Sequence, residues 1–336
     1  MREAILGKRK LLITMTLAFA VCLMGMLFVG CTTEEVTDPV GTEEAESTEP
    51  EVTAYTFTDD LGTTITVDRP ERVIACMGSF ANIWELAGGT LIGATDDAFE
   101  DYAMASTNVE KVGYFTEPSL EAIIALEPDL VIMTAASTGK DGSATQVDLK
   151  DTLVNSGIEV AYFNVTVFED YLRMLEACCG ITGRADLFEK NGTDIQKQIE
   201  DIKAKVSISG EAPTVMLMTT FSGGTRVLDS SSMTGAMLAE LGAKNLADEN
   251  KSLLRDFSLE SVIELNPDFI LVVPMGNDDA AAMKNLEEAT AANPAWATLD
   301  AVKGGHYVTL EKELFRFKPN ENWGTSYQTL YDILFS

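Results

Sequence analysis

The chain has 336 residues, room for two ordinary domains, and 46% of them are hydrophobic, enough to build real cores. With 53 acidic against 24 basic residues the formal charge is −29. That balance argues against nucleic acid as a partner, because phosphate binding needs clustered Lys and Arg, and it favours solubility and repels anionic surfaces.

The first thirty residues are a different material. Arg2, Lys8, Arg9 and Lys10 form a basic start, and Leu11 to Val29 then run apolar without a charge, the grammar of a signal peptide. LFVGC (27–31) places Gly30 before Cys31 and resembles the lipobox of bacterial lipoproteins, in which the cysteine is lipidated and becomes the first mature residue. Phe28 stands where leucine is usual, and the run is long enough for an uncleaved anchor to be the alternative. Either way the body is expected outside the cytoplasm, tethered to the membrane. Without residues 1–30 the formal charge deepens to −32. Residues 32–53 hold eight acidic residues and no basic one, so residues 31–53 read as a disordered acidic tether. Its length points mildly to a cell with one membrane.

From residue 54 the texture is globular. AYTFTDDLGTTITVD (54–68) alternates around a turn and predicts a hairpin. RVIACM (72–77) predicts a buried strand, FANIWELAGG (80–89) a glycine-stopped helix and LIGAT (91–95) a second strand, a βαβ unit and therefore a parallel sheet. PSLEAIIALEPDLVIM (118–133) reads as a helix capped by Ser119, ended near Pro128 and followed by a strand. Between 168 and 206 strand signals are nearly absent, and Phe188, Ile195, Ile199, Ile202 and Val206 follow helical spacing. VMLMTT (215–220) opens a second set of strands, followed by a helix over 232–243. A late strand is predicted at 307–310 and a closing helix over 325–335. Cys76, Cys178 and Cys179 read as small buried apolar residues, with no CxxC or Cys/His zinc spacing.

One passage occurs twice. FSLESVIELNPDFILV (257–272) matches residues 118–133 at seven of sixteen positions, including Glu121/Glu260 and Asp129/Asp268. The pattern predicts two α/β lobes, 54–166 and 207–336, around a helical stretch, 167–206.

The ordered set RPERVIACMGSFANIWELAGGTLIGAT (69–95), VGYFTEPSLEAIIALEPDLVI (112–132), GAMLAELGAKNLAD (235–248), FSLESVIELNPDFILV (257–272) and NPAWATLDAVKGGHYVTL (293–310) resembles the substrate-binding proteins of ABC importers for iron-siderophores, haem and cobalamin. The resemblance covers nearly all of 54–336. It implies two Rossmann-like lobes with parallel sheets, joined by a long linker helix around a ligand cleft. It also implies a monomer that delivers a small-molecule iron complex, foremost a ferric siderophore, to a permease dimer with its ATPase, without a resident cofactor. In that family a glutamate on each lobe docks into the permease, and Glu121 and Glu260 match that position. As first-turn helix glutamates they also suit the helix dipole.

Ligands of α/β lobes meet the loops at strand C-terminal ends. Those loops carry Met77, Phe80, Tyr114, Phe115, Phe221 and Trp323, suited to a large flat or greasy ligand. They also carry Arg226 and Arg316, with Lys318 beside the latter, suited to an anionic iron chelate. Haem, the first rival, needs an axial His, Tyr or Met; Met77 and Tyr114 are the candidates, and His306, beside a strand start, reads as structural. Cobalamin is the second rival. One histidine cannot supply a cluster for bare Zn²⁺ or Mn²⁺, so no metal site is expected. An extracellular α/β enzyme is the alternative of another class. It lacks GxGxxG, GxxxxGK[ST] and GxSxG signatures, and SGGT (222–225) alone is weak.

Overall fold

The computed structural model describes residues 54–136, 145–207, 211–255, 257–276 and 278–335. The expected signal segment, Cys31, the expected tether and part of the ligand loop expected at Thr134–Gly139 lie outside the described residues. Glu51–Ser336 forms one compact unit.

The first lobe begins with the hairpin β1 (Tyr55–Thr58) and β2 (Thr64–Val67). Asp59 fixes its turn, accepting from the amides of Leu61 and Thr63. Tyr55 and Phe57 stack in series toward Phe163. The sheet follows: β3 (Val73–Ala75), β4 (Gly93–Ala94) and β5 (Glu110–Lys111), then the short hairpin β6 (Gly113–Tyr114) and β7 (Glu117–Pro118), and finally β8 (Leu130–Thr134) and β9 (Glu159–Phe163). Helices α1 (Gly78–Leu86), α2 (Asp96–Asp101), α3 (Leu120–Ala125) and α4 (Lys150–Asn155) connect them. The order β5-β4-β3-β8-β9 is parallel throughout, as the βαβ pattern predicts.

The connecting stretch is helical: α5 (Phe168–Thr182), α6 (Ala185–Phe188) and α7 (Asp194–Ala204). Gly183 ends α5 in the left-handed conformation (φ 72°) that glycine adopts without strain. Glu189–Thr193 forms a π turn that carries α6 into α7, so the predicted long helix contains a π bulge. Ile195, Ile199 and Ile202 are buried as their spacing predicts.

The second lobe holds β10 (Thr214–Phe221), β11 (Gly224–Val227), β12 (Lys244–Asn245), β13 (Phe269–Pro274) and β14 (Tyr307–Thr309), with α8 (Met233–Glu240), α9 (Leu259–Leu265), α10 (Asp279–Ala292), α11 (Asp300–Lys303), α12 (Lys312–Phe315) and α13 (Trp323–Phe335). Its sheet runs β11-β10-β13-β14, with β12 also on β10. It is mixed and not purely parallel, because β11 returns antiparallel to β10 around Ser222 and Gly223. Gly224, at φ 145°, makes that return possible.

Side chains alternate between faces of each sheet. Val73, Leu130, Val215 and Leu271 face one continuous core that also takes in Ile195, Ile199 and Ile202 of α7. Ile74 and Val131 face a second core, and Met216 and Ile270 a third. The two inner sheet faces thus share apolar packing through the linker. Each fully buried large aliphatic side chain there contributes about 1.5–3 kcal/mol.

The repeated passage is a repeated construction. Ser119 and Ser258 each cap their helix, accepting at 3.2 Å from the amides of Ala122 and Ser261. Glu127 and Asn266 both turn left-handed (φ 45° and 43°) before the proline. Asp129 then accepts from the amides of Glu71 and Arg72 at 2.9 Å each. Asp268 accepts from the amide and hydroxyl of Thr214 at 2.8 and 2.6 Å. In both lobes the aspartate ties the helix-to-strand joint to the entry of the neighbouring strand.

Candidate functional site

The C-terminal ends of both sheets meet one segment of the second lobe, Phe315 to Trp323. Thr234 Oγ1 donates to the carbonyl of Phe315, fixing the start of the segment on α8. Arg316 Nη2 approaches Met275 Sδ, just beyond β13, at 3.2 Å. The phenol of Tyr102, after α2 of the first lobe, donates to the carbonyl of Lys318 at 3.3 Å, and its ring lies 6.5 Å from that of Phe317. Asn320 Nδ2 donates to the carbonyl of Ser79 at 3.0 Å and to Asn82 Oδ1 at 2.7 Å, both on α1. Trp323 closes the segment, edge-on to Phe168 of the linker at 5.8 Å.

This segment carries two cations. Arg316 is exposed by its side-chain surface, yet desolvation lowers its guanidinium from the ordinary value. Lys318 is half-buried; burial first, and then the charge of Arg316, bring its ammonium down to about 8, against a smaller opposing pull from Asp170. Among the described residues no carboxylate lies within 4.0 Å of either cation. In a chain of formal charge −29, these two neighbouring cations have no carboxylate partner among the described residues and lie where the two lobes touch.

The other candidates separate. Arg226 is exposed on β11, its guanidinium 4.9 Å from the ring centre of half-buried Phe221, a cation–π pair at the end of β10. Tyr114 is 67% exposed. Phe115 is half-buried, and its carbonyl accepts from Gln146. Met77 caps α1 and packs on the core edge. Two expectations need correction. Phe80, 1% exposed, packs edge-on against Phe163 at 6.5 Å, and Trp323 is 0% exposed; both rings serve the core and present no surface to a ligand. His306 lies at the opposite end of its sheet, its ring stacked on Phe269 at 4.5 Å and its Nδ1 3.1 Å from the carbonyl of Asp268. A cavity of about 540 Å³ opens beside it, lined by Glu211, Asp268 and Asp300 among others. The carboxylates of Asp268 and Asp300 are already hydrogen-bonded to Thr214 and Asn266. Cys76, Cys178 and Cys179 are free and buried, and burial raises each thiol from its ordinary value.

Two residues that organise the site carried no signal in the sequence reading. Gln146 is buried, accepting from the amide of Thr134 at 2.9 Å and donating to the carbonyls of Cys76 and Phe115 at 2.7 and 2.6 Å. It binds the ends of β3 and β8 to the Tyr114–Phe115 loop. Asn320 is the second, 0% exposed and left-handed at φ 48°.

Glu121 and Glu260 are exposed in the first turns of α3 and α9, the helices of the repeated passage. No helix of the described residues is long and apolar enough to cross a membrane.

Comparison with known proteins identifies the fold. Across 322 residues the chain is 24% identical to the Fe(3+)-citrate-binding protein YfmC of Bacillus subtilis (strain 168), covering 94% of this chain and 95% of that protein. Its fold superposes on the petrobactin-binding protein YclQ of Bacillus subtilis with a TM-score of 0.66 at 19% identity, over 84% of this chain and 99% of that one. On IsdE of S. aureus complexed with heme the TM-score is 0.63 at 16% identity, over 79% and 98%. The family described as periplasmic binding protein matches residues 73–314, well over half of the sequence. The chain belongs to the periplasmic binding protein family.

Proposed function

We propose that the chain is the substrate-binding protein of an ABC importer, held outside the cytoplasm by a lipid on Cys31, and that it captures an anionic ferric siderophore between its lobes. The observation that carries this reading is the Arg316–Lys318 pair at the contact between the lobes, without a carboxylate partner among the described residues. Ferric chelates built on carboxylates or catecholates bear net negative charge, and a guanidinium beside an ammonium is a natural counterpart. Arg226 over Phe221 supplies a third cation with an aromatic face. A relative named for ferric citrate that aligns along nearly the whole chain supports the same class. The protein acts by binding and delivery, as a monomer and without catalysis. Glu121 and Glu260 are its contacts to the permease, one from each lobe, and the linker permits small lobe movements. Haem is the second reading, favoured by the exposed phenol of Tyr114, on the first-lobe hairpin next to Phe115, which Gln146 ties to the ends of β3 and β8.

The test is a titration of the full chain in detergent with ferric citrate, ferric catecholates and hydroxamates, haemin and cyanocobalamin, following tryptophan fluorescence and the visible spectrum. Saturable quenching by an anionic ferric chelate, weakened at least about tenfold in R316A/K318A, is the expected result. A shifted Soret band with haemin and silence toward the chelates would overturn it in favour of haem. Fatty-acid labelling of the wild type, absent in C31S, checks the anchor.

A further inference from the structure

The basic pair does not hold itself in place. Arg316 and Lys318 lie on an irregular turn between α12 and α13, and their own side chains make no ion pair among the described residues. Asn320 anchors that turn to the other lobe. Its side-chain amide gives both protons to α1, one to the Ser79 carbonyl and one to Asn82 Oδ1. Its backbone sits at φ 48°, a conformation asparagine tolerates better than most residues. Without these bonds the turn would keep, among the described residues, only the Tyr102 hydrogen bond at 3.3 Å to the first lobe.

We infer that Asn320 is a positioning residue for the anion site: through its amide, the second-lobe turn bearing Arg316 and Lys318 is fixed on helix α1 of the first lobe, so that anion affinity depends on a hydrogen bond the anion never touches. This rests on the reading of the pair as an anion site. It adds that the site is assembled across both lobes, and that Asn82, on the far side of the contact, belongs to its support.

The groups around Lys318 make the idea measurable. Arg316 faces it from its own turn, Asp170 from α5, and the Tyr102 phenol bonds its carbonyl. Burial, and then the charge of Arg316, bring the ammonium to about 8 from an ordinary 10.5, against the opposing pull of Asp170. A turn released from α1 exposes Lys318 to water, and its titration moves back up.

The experiment uses the full chain in detergent as wild type, N82A, N320G and N82A/N320G. Glycine keeps the left-handed backbone at 320. N82A removes a single acceptor from a helix and is the variant that preserves the fold. Acylation of Lys318 by acetic anhydride is followed by mass spectrometry from pH 6 to 11, and ferric citrate affinity is measured at pH 7, where Lys318 is protonated in every variant. The expected result is a half-reaction pH near 8 in the wild type, raised toward 10 in N320G and part of the way in N82A, with ferric citrate bound about tenfold more weakly by N320G. An unchanged acylation profile in both N82A and N320G, each folded by near-ultraviolet circular dichroism, overturns the inference. A stability role alone would lower the melting temperature without moving the Lys318 profile, and that outcome also overturns it. If ferric citrate fails to bind the wild type, the ligand reading falls, while the acylation profiles still decide the role of Asn320.

Discussion

Replacing Asp129 or Asp268 by alanine separates the structural half of the repeated passage from its exposed half. Asp129 accepts two backbone N–H bonds at 2.9 Å; Asp268 accepts one backbone and one hydroxyl bond, at 2.8 and 2.6 Å. A hydrogen bond to a charged group contributes about 1.5–3 kcal/mol when well shielded, and these sites are open to water, which places the loss for each pair at about 2 kcal/mol. In each aspartate both bonds fall on one oxygen, which the amide oxygen of D129N and D268N can replace, so these variants should lose less, through the lost charge. E121A and E260A remove a first-turn carboxylate, for which the helix-dipole contribution is at most about 0.3–1 kcal/mol. Urea unfolding of the six variants, compared at the transition midpoint with unchanged slope, measures the difference. Equal losses for Glu121 and Asp129, or aspartate variants within about 0.5 kcal/mol of the wild type, would refute the division of labour.

Gly180 of α5 should be intolerant of alanine, because a methyl group there would lie 2.2 Å from Cζ of Tyr55. Overpacking of this kind costs about 1–3 kcal/mol, and Y55A should relieve it in the double variant; additive losses in thermal melts would contradict that. E121A/E260A should bind ferric chelate as the wild type does but fail to support uptake of iron-55 in cells. Normal uptake, or lost binding, would remove the docking role.

Much of the fold was legible because its signals are periodic. Apolar runs between turn residues gave β3, β4, β8, β10, β13 and β14, and the 7, 4, 3, 4 spacing from Phe188 to Val206 gave the linker; β5, β9 and β12 were not read as strands, and the π turn at Glu189–Thr193 was not foreseen. The hairpin of β10 and β11 was read as a loop, although Ser222-Gly223-Gly224 is a usable turn signal; Arg226 was therefore expected on a loop and lies on a strand. Phe80 and Trp323 show a different limit. An aromatic residue next to a strand end looks the same whether it faces a ligand or the core, and the first turn of α1 aims Phe80 at Phe163. Gln146 and Asn320 were invisible for a third reason. Each works through contacts between segments far apart in the chain, 70 residues for Gln146 to Cys76 and 241 for Asn320 to Ser79, and a single polar residue in a polar stretch carries no period. The shared Pro-Asp of the repeat was visible, but its meaning required the backbone amides it binds.

The packing of α13 against α7 sets an order of events during synthesis. Ile195, Ile199 and Ile202 of the linker lie in the same core as Tyr327, Leu330 and Leu334, and Lys203 reaches Glu240 of α8 at 2.7 Å. The first lobe can close its five-stranded sheet as soon as β9 has emerged. The linker, made next, lacks its main second-lobe partner, α13, until residues 323–335 arrive. Until then that face is exposed on a half-made chain, which makes the interval between the two helices the period in which misassembly or chaperone capture is most probable.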